Sequence, residues 1–165
     1  MGRIVSREEA ASLCRSWREK GRRVVFTNGV FDLLHRGHVE YLTGAKALGD
    51  YLLVGVNDDA STRLLGKGRG RPLNTASDRM AVLAALEPVD LVVPFSENTP
   101  LELITIIEPD VLVKGSDYTE EEVVGASEVR AAGGEVVLIP LMEGYSTTDL
   151  LERICGTYSQ PEAGA

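Results

Sequence analysis

The only two histidines of the chain, His35 and His38, lie three residues apart in the stretch VVFTNGVFDLLHRGHVEYL. This stretch begins as a β-branched run and continues into a helical pattern, so His38 is predicted at or near the first turn of a helix. The free N–H groups and the partial positive charge of a helix start favour phosphate. Two imidazoles there can donate hydrogen bonds to phosphate oxygens and stabilise charge that builds up in a transition state.

Two other interpretations of the histidine pair were weighed. One ring could pack in the core while the other caps a helix, but the spacing H-x-G-H directly after a strand favours the phosphate interpretation. A metal site is disfavoured because no Cys, His or nearby acidic cluster completes a ligand set. We therefore expect no metal held by protein side chains. The dinucleotide fingerprint G-x-G-x-x-G is absent, which does not favour a nicotinamide cofactor.

A second candidate anion site is the stretch GYSTTDLLERI near the end of the chain, which carries Ser146, Thr147 and Thr148. Hydroxyl groups beside the free N–H groups of a helix start form a cradle for phosphate. The same residues also form an ordinary helix cap. A third candidate is the Gly-rich loop KGRGRPLN, whose cations Lys67, Arg69 and Arg71 suggest a mobile anion clamp, or else a solvated loop.

The elements that position these residues alternate between strand and helix patterns. Five short, nearly continuous apolar runs are predicted as strands, in RVVFTN, DYLLVGVN, VDLVVPF, DVLVKG and EVVLIP. Strands of this kind, separated by helices, indicate a parallel sheet covered on both faces. The sequence therefore predicts an α/β, Rossmann-like, doubly wound five-stranded parallel sheet, which binds its ligands at the carboxyl ends of the strands.

The chain of 165 residues suits a single domain. We predict an N-terminal helix within residues 1–21, a catalytic domain over 22–155 and a flexible tail over 156–165. The net charge of −8 argues against binding nucleic acid through phosphate neutralisation. No apolar run approaches the length of a membrane span, the start does not resemble a secretory signal, and two separated cysteines suit a reducing compartment. A cytoplasmic location is expected.

The histidine and Ser/Thr motifs together resemble the H-x-G-H nucleotidyltransferase superfamily, in its cytidylyltransferase-like branch. The resemblance covers about Arg22 to Ile154. It is closer to one family, the D-glycero-β-D-manno-heptose 1-phosphate adenylyltransferases, through segments such as VGVNDDASTRLLGKGRGRPLN, PDVLVKGSDY and GYSTTDLLERI. In many bacteria this activity is one half of a fused kinase-adenylyltransferase, and this chain resembles the stand-alone form.

The resemblance implies that ATP and a heptose 1-phosphate react to give ADP-heptose and pyrophosphate, with Mg²⁺ bound mainly through the ATP phosphates. It implies a homodimer that acts without nucleic acid or membrane. The implied catalytic residues are His35, His38 and Lys46. The implied nucleotide-binding residues are Thr27, Asn28, Gly29, Val30, Phe31, His35, His38, Lys114, Gly115, Asp117, Tyr145, Ser146, Thr147 and Thr148, with Tyr118 beside them. The implied acceptor- or phosphate-binding residues are Lys46, Asn57, Asp58, Arg71 and Arg79.

Several of these roles have a structural alternative. Lys46 could be a solvated helix lysine, Asp58 could cap the next helix, and Arg79 could form a salt bridge on a helix surface. The choice between adenine and cytosine rests on overall similarity, since no base-reading side chain is evident. A glycerol 3-phosphate cytidylyltransferase, an FAD synthetase and a nucleotide-binding module without catalysis therefore remain as alternatives.

Overall fold

The computed structural model describes residues 1–66 and 70–158. Its strands are β1 (Arg3–Ile4), β2 (Val24–Gly29), β3 (Tyr51–Asn57), β4 (Leu91–Phe95), β5 (Val111–Gly115) and β6 (Glu135–Ile139). Its helices are α1 (Arg7–Glu19), α2 (Arg36–Lys46), α3 (Asp59–Leu64), α4 (Ala76–Ala84), α5 (Leu101–Ile107), α6 (Ala126–Ala131) and α7 (Thr147–Tyr158), with a 3₁₀ turn at Glu120–Glu122.

The strands form one parallel sheet in the order β1-β4-β3-β2-β5-β6. The predicted doubly wound α/β fold is confirmed, but the sheet has six strands rather than five. The additional strand is β1, which pairs with β4 through two residues only, Arg3 opposite Leu91 and Ile4 opposite Val92. A strand of that length is too short to produce a periodic signal in the sequence.

The core consists of two apolar layers, one on each face of the sheet. Phe26, Leu53 and Leu103 are among the residues of the layer beneath α1, α5 and α6, and Val54, Leu42 and Leu83 are among those beneath α2 and α4. The chain order reverses at β2, which lies between β3 and β5. In an open sheet this reversal opens a crevice at the carboxyl ends of the strands.

The amino edge of the sheet is closed by aspartates, each immediately before a strand. Asp50 precedes β3 and accepts from the amide of Arg23 at 2.8 Å. Asp90 precedes β4 and accepts from the amide of Leu52 at 2.7 Å. Asp110 precedes β5 and accepts a 2.7 Å bond from Val24, the first residue of β2. Each carboxylate thus accepts a hydrogen bond from a backbone amide at or next to the start of the adjacent strand.

Helix boundaries follow capping residues. Ser6 and Glu9 have the spacing of a capping box, which predicts a helix start at Ser6. The Ser6 side chain does cap α1 by accepting from the amide of Glu9 at 3.2 Å, but the Glu9 side chain pairs with Arg3. The stretch TEEEVVGASEVRAAGG, with acidic residues in its first turn and a Gly-Gly stop, predicts a single helix. The helix is interrupted at Gly125, which has φ +88° and where an added Cβ would lie 2.7 Å from Ile104. The last helix continues to Tyr158, three residues into the predicted tail, and residues 159–165 lie outside the described residues.

Candidate functional site

A cleft of about 640 Å³ opens at the carboxyl ends of the strands, where the chain order reverses. Cavities of this size commonly hold small-molecule ligands and cofactors. Most of the residues singled out from the sequence line it together. They are Asn28, Gly29, Val30, Phe31, His35, His38, Asn57, Arg71, Lys114, Gly115, Asp117, Tyr118, Tyr145, Ser146, Thr147 and Thr148.

His35 and His38 lie side by side at the start of α2. His35 is the N-cap residue, with extended backbone angles, and its carbonyl accepts a 3.0 Å bond from the amide of His38. The ring centroids are 3.9 Å apart and the ring planes differ by 29°. This stack brings both imidazoles to one wall of the cleft, beside the free amides of the first helical turn.

Both imidazoles are neutral near pH 7. Burial lowers the pKa of His35, against a smaller opposing effect of Asp149. Burial and, less strongly, the neighbouring His35 lower the pKa of His38 to about 4. The Nδ1 atom of each ring is buried and has no hydrogen-bond partner among the described residues. Because a buried N–H without an acceptor is rarer than an unpaired lone pair, the proton is assigned to Nε2 in each ring.

Glycine between the two histidines avoids a tight contact with the residues around it. A Cβ at Gly37 would lie 3.0 Å from Nδ1 of His35 and 3.0 Å from Cβ of Tyr145. The Tyr145 ring is 6.3 Å from the His35 ring, between centroids. The absent side chain therefore allows the loop before α7 to close against the start of α2 and complete this part of the cleft.

The start of α7 supplies the second polar wall. The Oγ of Ser146 accepts from the amide of Asp149 at 3.0 Å, and its carbonyl accepts from the amide of Leu150 at 3.1 Å. Ser146 thus caps α7 while it lines the cleft together with Thr147 and Thr148. Capping and anion binding use the same end of the helix, so both interpretations of this motif remain compatible with the geometry.

A third polar group lies where β2 and β5 end side by side. The Nζ of Lys114 donates to the carbonyl of Asn28 at 3.2 Å and lies 5.7 Å from the centroid of the Tyr118 ring. The Oδ1 of Asn28 is buried and finds no hydrogen-bond partner within residues 1–66 and 70–158. This oxygen and the two Nδ1 atoms are polar groups that the described protein atoms leave unsatisfied, and the residues of all three line the cleft.

Asp32 was not identified from the sequence, although it organises one side of the cleft. Its side chain has no exposed surface and accepts 2.7 Å from Nε of Arg71, 2.9 Å from the amide of Leu73 and 2.9 Å from the amide of Asn74. Burial alone would raise its pKa, but the bonds from Asn74, Leu73 and Arg71 outweigh burial and lower it. A carboxylate within the apolar stretch GVFDLL, just past a strand, was the available signal.

The chain reaches Asp32 through an unusual backbone conformation. Phe31 has φ +49°, which is uncommon for a residue with a side chain. Its ring lies 5.5 Å from the His38 ring, and a Cβ at Gly29 would lie 3.0 Å from it. Phe31 therefore packs between the end of β2 and the second histidine.

Two predicted catalytic or phosphate-binding cations are placed elsewhere. Lys46 ends α2 at the amino edge of the sheet, where its Nζ donates 2.5 Å bonds to the carbonyl of Asp50 and to Asp90. Helix α2 runs back from the cleft, and eight residues at about 1.5 Å each carry Lys46 about 12 Å along its axis from His38. The structure thus places Lys46 outside the cleft lining and in contact with Asp50 and Asp90, and its catalytic role stays a prediction.

Arg79 is likewise bonded within the protein, and its phosphate-binding role stays a prediction. Its side chain has no exposed surface and donates to the carbonyl of Val30 at 2.6 Å, to the carbonyl of Asn74 at 3.1 Å and to Asp59 at 2.9 Å. These three bonds occupy the planar guanidinium group and tie the loop after β2 to α3 and α4. Arg79 is buried and is not among the described residues that line the cleft.

Two further residues predicted to contact the ligands are not among the described lining residues. The Thr27 hydroxyl is buried against the Tyr41 hydroxyl at 2.8 Å and does not line the cleft. Asp58 caps α3 by accepting from the amide of Ser61 at 2.7 Å, and it too is outside the lining. Lys67 and Arg69 of the predicted anion clamp lie outside the described residues, whereas Arg71 lies in the cleft wall.

Other lining residues were missed. They are Tyr41, Leu65, Asn98, Thr99, Pro100, Glu122, Val123, Val124, Leu141 and Met142. Asn98 and Thr99 follow β4 and could have been found by applying the rule for carboxyl strand ends to every strand. Val123 and Leu141 carry no chemical signal, and only the tertiary fold brings them to the cleft.

Comparisons with known proteins agree with this geometry. The family model described as cytidylyltransferase-like matches residues 26–153. The chain is 54% identical to the bifunctional protein HldE of Wolinella succinogenes over 155 residues, which cover 94% of this chain and 32% of that protein. It is 58% identical to HldE of Nitrobacter hamburgensis over 141 residues, 86% of this chain and 29% of the relative. The chain thus spans about a third of the length of these curated relatives.

Two solved structures have similar folds. The lipopolysaccharide core biosynthesis protein of Thermoplasma volcanium superposes with a TM-score of 0.63 at 31% identity, covering 76% of this chain and 100% of that one. The pantoate-β-alanine ligase of Francisella tularensis, solved with an ATP compound and β-alanine, also gives a TM-score of 0.63, covering 100% of this chain and 82% of that one. Its 15% identity shows a shared fold alone.

Proposed function

The chain belongs to the cytidylyltransferase-like family of nucleotidyltransferases, and from this premise we propose that it is an adenylyltransferase that converts ATP and D-glycero-β-D-manno-heptose 1-phosphate to ADP-heptose and pyrophosphate. The observation that carries the proposal is the stacked pair His35 and His38 at the start of α2, within the cleft. The heptose acceptor is supported by the resemblance of the sequence motifs and by the identity with HldE proteins.

The reaction requires alignment and charge stabilisation more than acid-base chemistry. A phosphate oxygen of the sugar phosphate is ionised at neutral pH and needs no general base. It attacks the α-phosphorus of ATP, the new P–O bond forms, and the bond to the bridging oxygen breaks in line to release pyrophosphate. Neutral His35 and His38 donate from Nε2 to the phosphate oxygens on which charge accumulates. The start of α7 and its hydroxyls receive the departing phosphates.

Mg²⁺ is part of this proposal as a companion of the nucleotide. Magnesium in such sites is held largely by substrate phosphates and water, and it neutralises charge on the triphosphate. Across the described residues no group of three or more His, Cys, Asp or Glu side chains could hold a metal ion.

A cytidylyltransferase acting on glycerol 3-phosphate or a similar small phosphate is the second candidate, because the matching family model is described as cytidylyltransferase-like. An FAD synthetase would use the same chemistry on a larger acceptor. A nucleotide-binding module without catalysis would bind ATP but release no pyrophosphate. The histidine pair is assigned to phosphates and not to the base, so its presence does not distinguish between these candidates.

The assembly and the location of the protein are also proposed. A homodimer is proposed from the family resemblance. Leu13 and Trp17 lie on one face of α1, a pattern that fits either the chain's own core or a partner. In the structure both pack against the core of the same chain, and the Trp17 ring stacks on the Tyr51 ring with centroids 3.7 Å apart. A cytoplasmic setting is proposed from Cys14 and Cys155, which are unpaired. Among the described residues, none of the helices has the length and apolar character needed to cross a membrane.

The decisive experiment is pyrophosphate release with Mg²⁺, using ATP or CTP with either heptose 1-phosphate or glycerol 3-phosphate, and ATP with FMN. Release with ATP and heptose 1-phosphate alone supports the proposal. Release with CTP keeps the roles of the histidines but contradicts the adenylyl specificity. Release with FMN identifies an FAD synthetase, and binding of ATP without release in any mixture supports the non-catalytic module. The His38→Ala variant, assayed beside the wild type, excludes a contaminating activity.

A further inference from the structure

Asp32 and Arg71 form a buried ion pair in the wall of the cleft, and its geometry divides the guanidinium group into two parts. The Asp32 side chain has no exposed surface, and that of Arg71 is 10% exposed. The contact with Asp32 uses Nε of Arg71 at 2.7 Å. Over residues 1–66 and 70–158, the structure gives the two Nη atoms of Arg71 no protein partner, although the residue lines the cleft. Donors therefore remain for a ligand.

The segment that carries Arg71 is held by the same carboxylate. Asp32 also accepts from the amides of Leu73 and Asn74, and the Asn74 side chain returns a 2.7 Å bond to the carbonyl of Asp32. The carbonyl of Asn74 also accepts a hydrogen bond from Nε of Arg79. Asp32 thus fixes both the main chain and the arginine side chain of the Arg71 segment, and it lies three positions past the end of β2.

This arrangement is explained better by the binding of an anion than by a contribution to folding stability alone. Burying a carboxylate and a guanidinium is costly, and a buried ion pair is weak evidence for stabilisation. A guanidinium group whose one edge is fixed presents its other donors in a defined plane, which suits two oxygens of a phosphate. Fixing the donors before the substrate binds removes the cost of reorganising them during the reaction.

We propose that Asp32 is a positioning residue, which acts on phosphate in the cleft only through Arg71 by holding its Nε and leaving the Nη donors for a phosphate of the nucleotide or of the acceptor. The inference rests on the proposed function, since it assigns a task within that site. Asp32 itself carries a negative charge and is fully bonded, so it touches neither phosphate. Its effect is on the orientation of Arg71.

A double-mutant cycle tests this dependence. The variants are Asp32→Asn, Arg71→Gln and the two combined, compared with the wild type for kcat and KM in pyrophosphate release with ATP and heptose 1-phosphate. We expect roughly 10²-fold loss of kcat/KM for Arg71→Gln and about 10-fold or more for Asp32→Asn, because misplaced binding groups cost rate. The double variant should lie within about twofold of Arg71→Gln. An equal loss from Asp32→Asn in both backgrounds, or none in the wild type, overturns the proposal.

The matched control is Asp50→Asn. Asp50 also accepts from a backbone amide, that of Arg23, and from an arginine, Arg22, but at the amino edge of the sheet. We expect it to lower thermal stability without changing kcat/KM. If Asp32→Asn does not fold, Arg71→Lys keeps the charge and leaves Asp32 intact. An ammonium group held by Asp32 lacks the second donor edge, so this variant should lose activity as Arg71→Gln does, and wild-type activity would refute the proposal.

Failure of the proposed function can be separated from failure of this inference. If the wild type releases no pyrophosphate, the same cycle is measured on the dissociation constants of ATP and of heptose 1-phosphate. Weakening of either ligand by Asp32→Asn in the wild type, and not in the Arg71→Gln background, supports the positioning role. Equal weakening in both backgrounds, or no weakening of either ligand, rejects it.

Discussion

The rings of His35 and His38 are stacked with their centroids 3.9 Å apart, and both Nδ1 atoms are buried without a described partner. We predict that replacing either histidine by alanine lowers kcat by roughly 10²-fold or more while the dissociation constant of ATP rises much less. The reason is that their donors act mainly on charge that develops in the transition state. Steady-state kinetics and calorimetric ATP titration give the two quantities.

The control for this prediction is Arg36→Ala, between the two histidines. Arg36 is exposed and pairs with Glu40 on the surface of α2, outside the cleft lining. It should change kcat by less than about twofold, since exposed ion pairs contribute little. Equal losses of ATP affinity and of kcat/KM in the histidine variants would instead make them uniform phosphate ligands.

The burial of His38 predicts a dependence of stability on pH. Its pKa is about 4 in the folded chain and near 6.5 when unfolded. Between these values the unfolded state binds more protons, so the free energy of unfolding rises with pH and falls as the solution is acidified. Urea unfolding should show that the wild type loses more stability than His38→Asn between about pH 6.5 and 4. Parallel pH profiles would contradict a buried neutral His38.

The double variant His35→Asn/His38→Asn extends the same measurement. The pKa of His35 is also lowered by burial, so it contributes with the same sign. The profile should be flatter for the double variant than for His38→Asn. Carboxylates titrate in the same range, but they do so in all three proteins and cancel in the comparison.

Lys46 provides a test between the sequence interpretation and the structure. Its bonds to Asp50 and Asp90 place it at the amino edge of the sheet. We predict that Lys46→Met leaves kcat and both KM values within about twofold, and lowers the free energy of unfolding by about 1 kcal/mol or less. Kinetics together with thermal unfolding decide the matter. A large rise in the KM of the acceptor phosphate would restore the role expected from sequence.

Ser146 caps α7 and lines the cleft, and two substitutions separate these tasks. Ser146→Ala removes the cap, which costs about 1 kcal/mol, and should weaken ATP binding. Ser146→Asp restores a capping oxygen but adds a negative charge facing the nucleotide phosphates. We therefore predict that the aspartate variant is as stable as the wild type in thermal unfolding and binds ATP more weakly than the alanine variant. Wild-type affinity in the aspartate variant would reduce Ser146 to a cap.

Much of the fold could be predicted because it depends on local patterns. Apolar runs alternating with helical segments indicated the doubly wound sheet, and Ser6 marked the start of α1 correctly. The edge strand β1 escaped because its pairing with β4 is long-range and only two residues long. The break at Gly125 depends on how closely Ile104 approaches it, which no local pattern contains.

The residues of the candidate site also divide into those with a local sequence signal and those whose place depends on long-range contacts. The location of the histidines and of the Ser/Thr stretch in the cleft was predictable, because a position after a strand or before a helix is a local feature. The contacts of Lys46 and Arg79 were not predicted, because a cation in the sequence does not reveal which carboxylate or carbonyl it meets. Asp32 was missed for the converse reason, since its importance comes from Arg71, Leu73 and Asn74, about forty residues away.

The row of aspartates at the amino edge implies that tolerance to change is unevenly distributed over the molecule. Asp50, Asp90 and Asp110 join adjacent strands at the end farthest from the cleft. Substitution of surface charges there can therefore raise or lower thermal stability without changing the geometry of the cleft. The carboxyl end of the sheet has no such freedom, since polar residues there such as Asp32 and Arg79 are buried and each bonded to several partners. Variants of this enzyme selected for heat resistance should accumulate their substitutions along the aspartate edge.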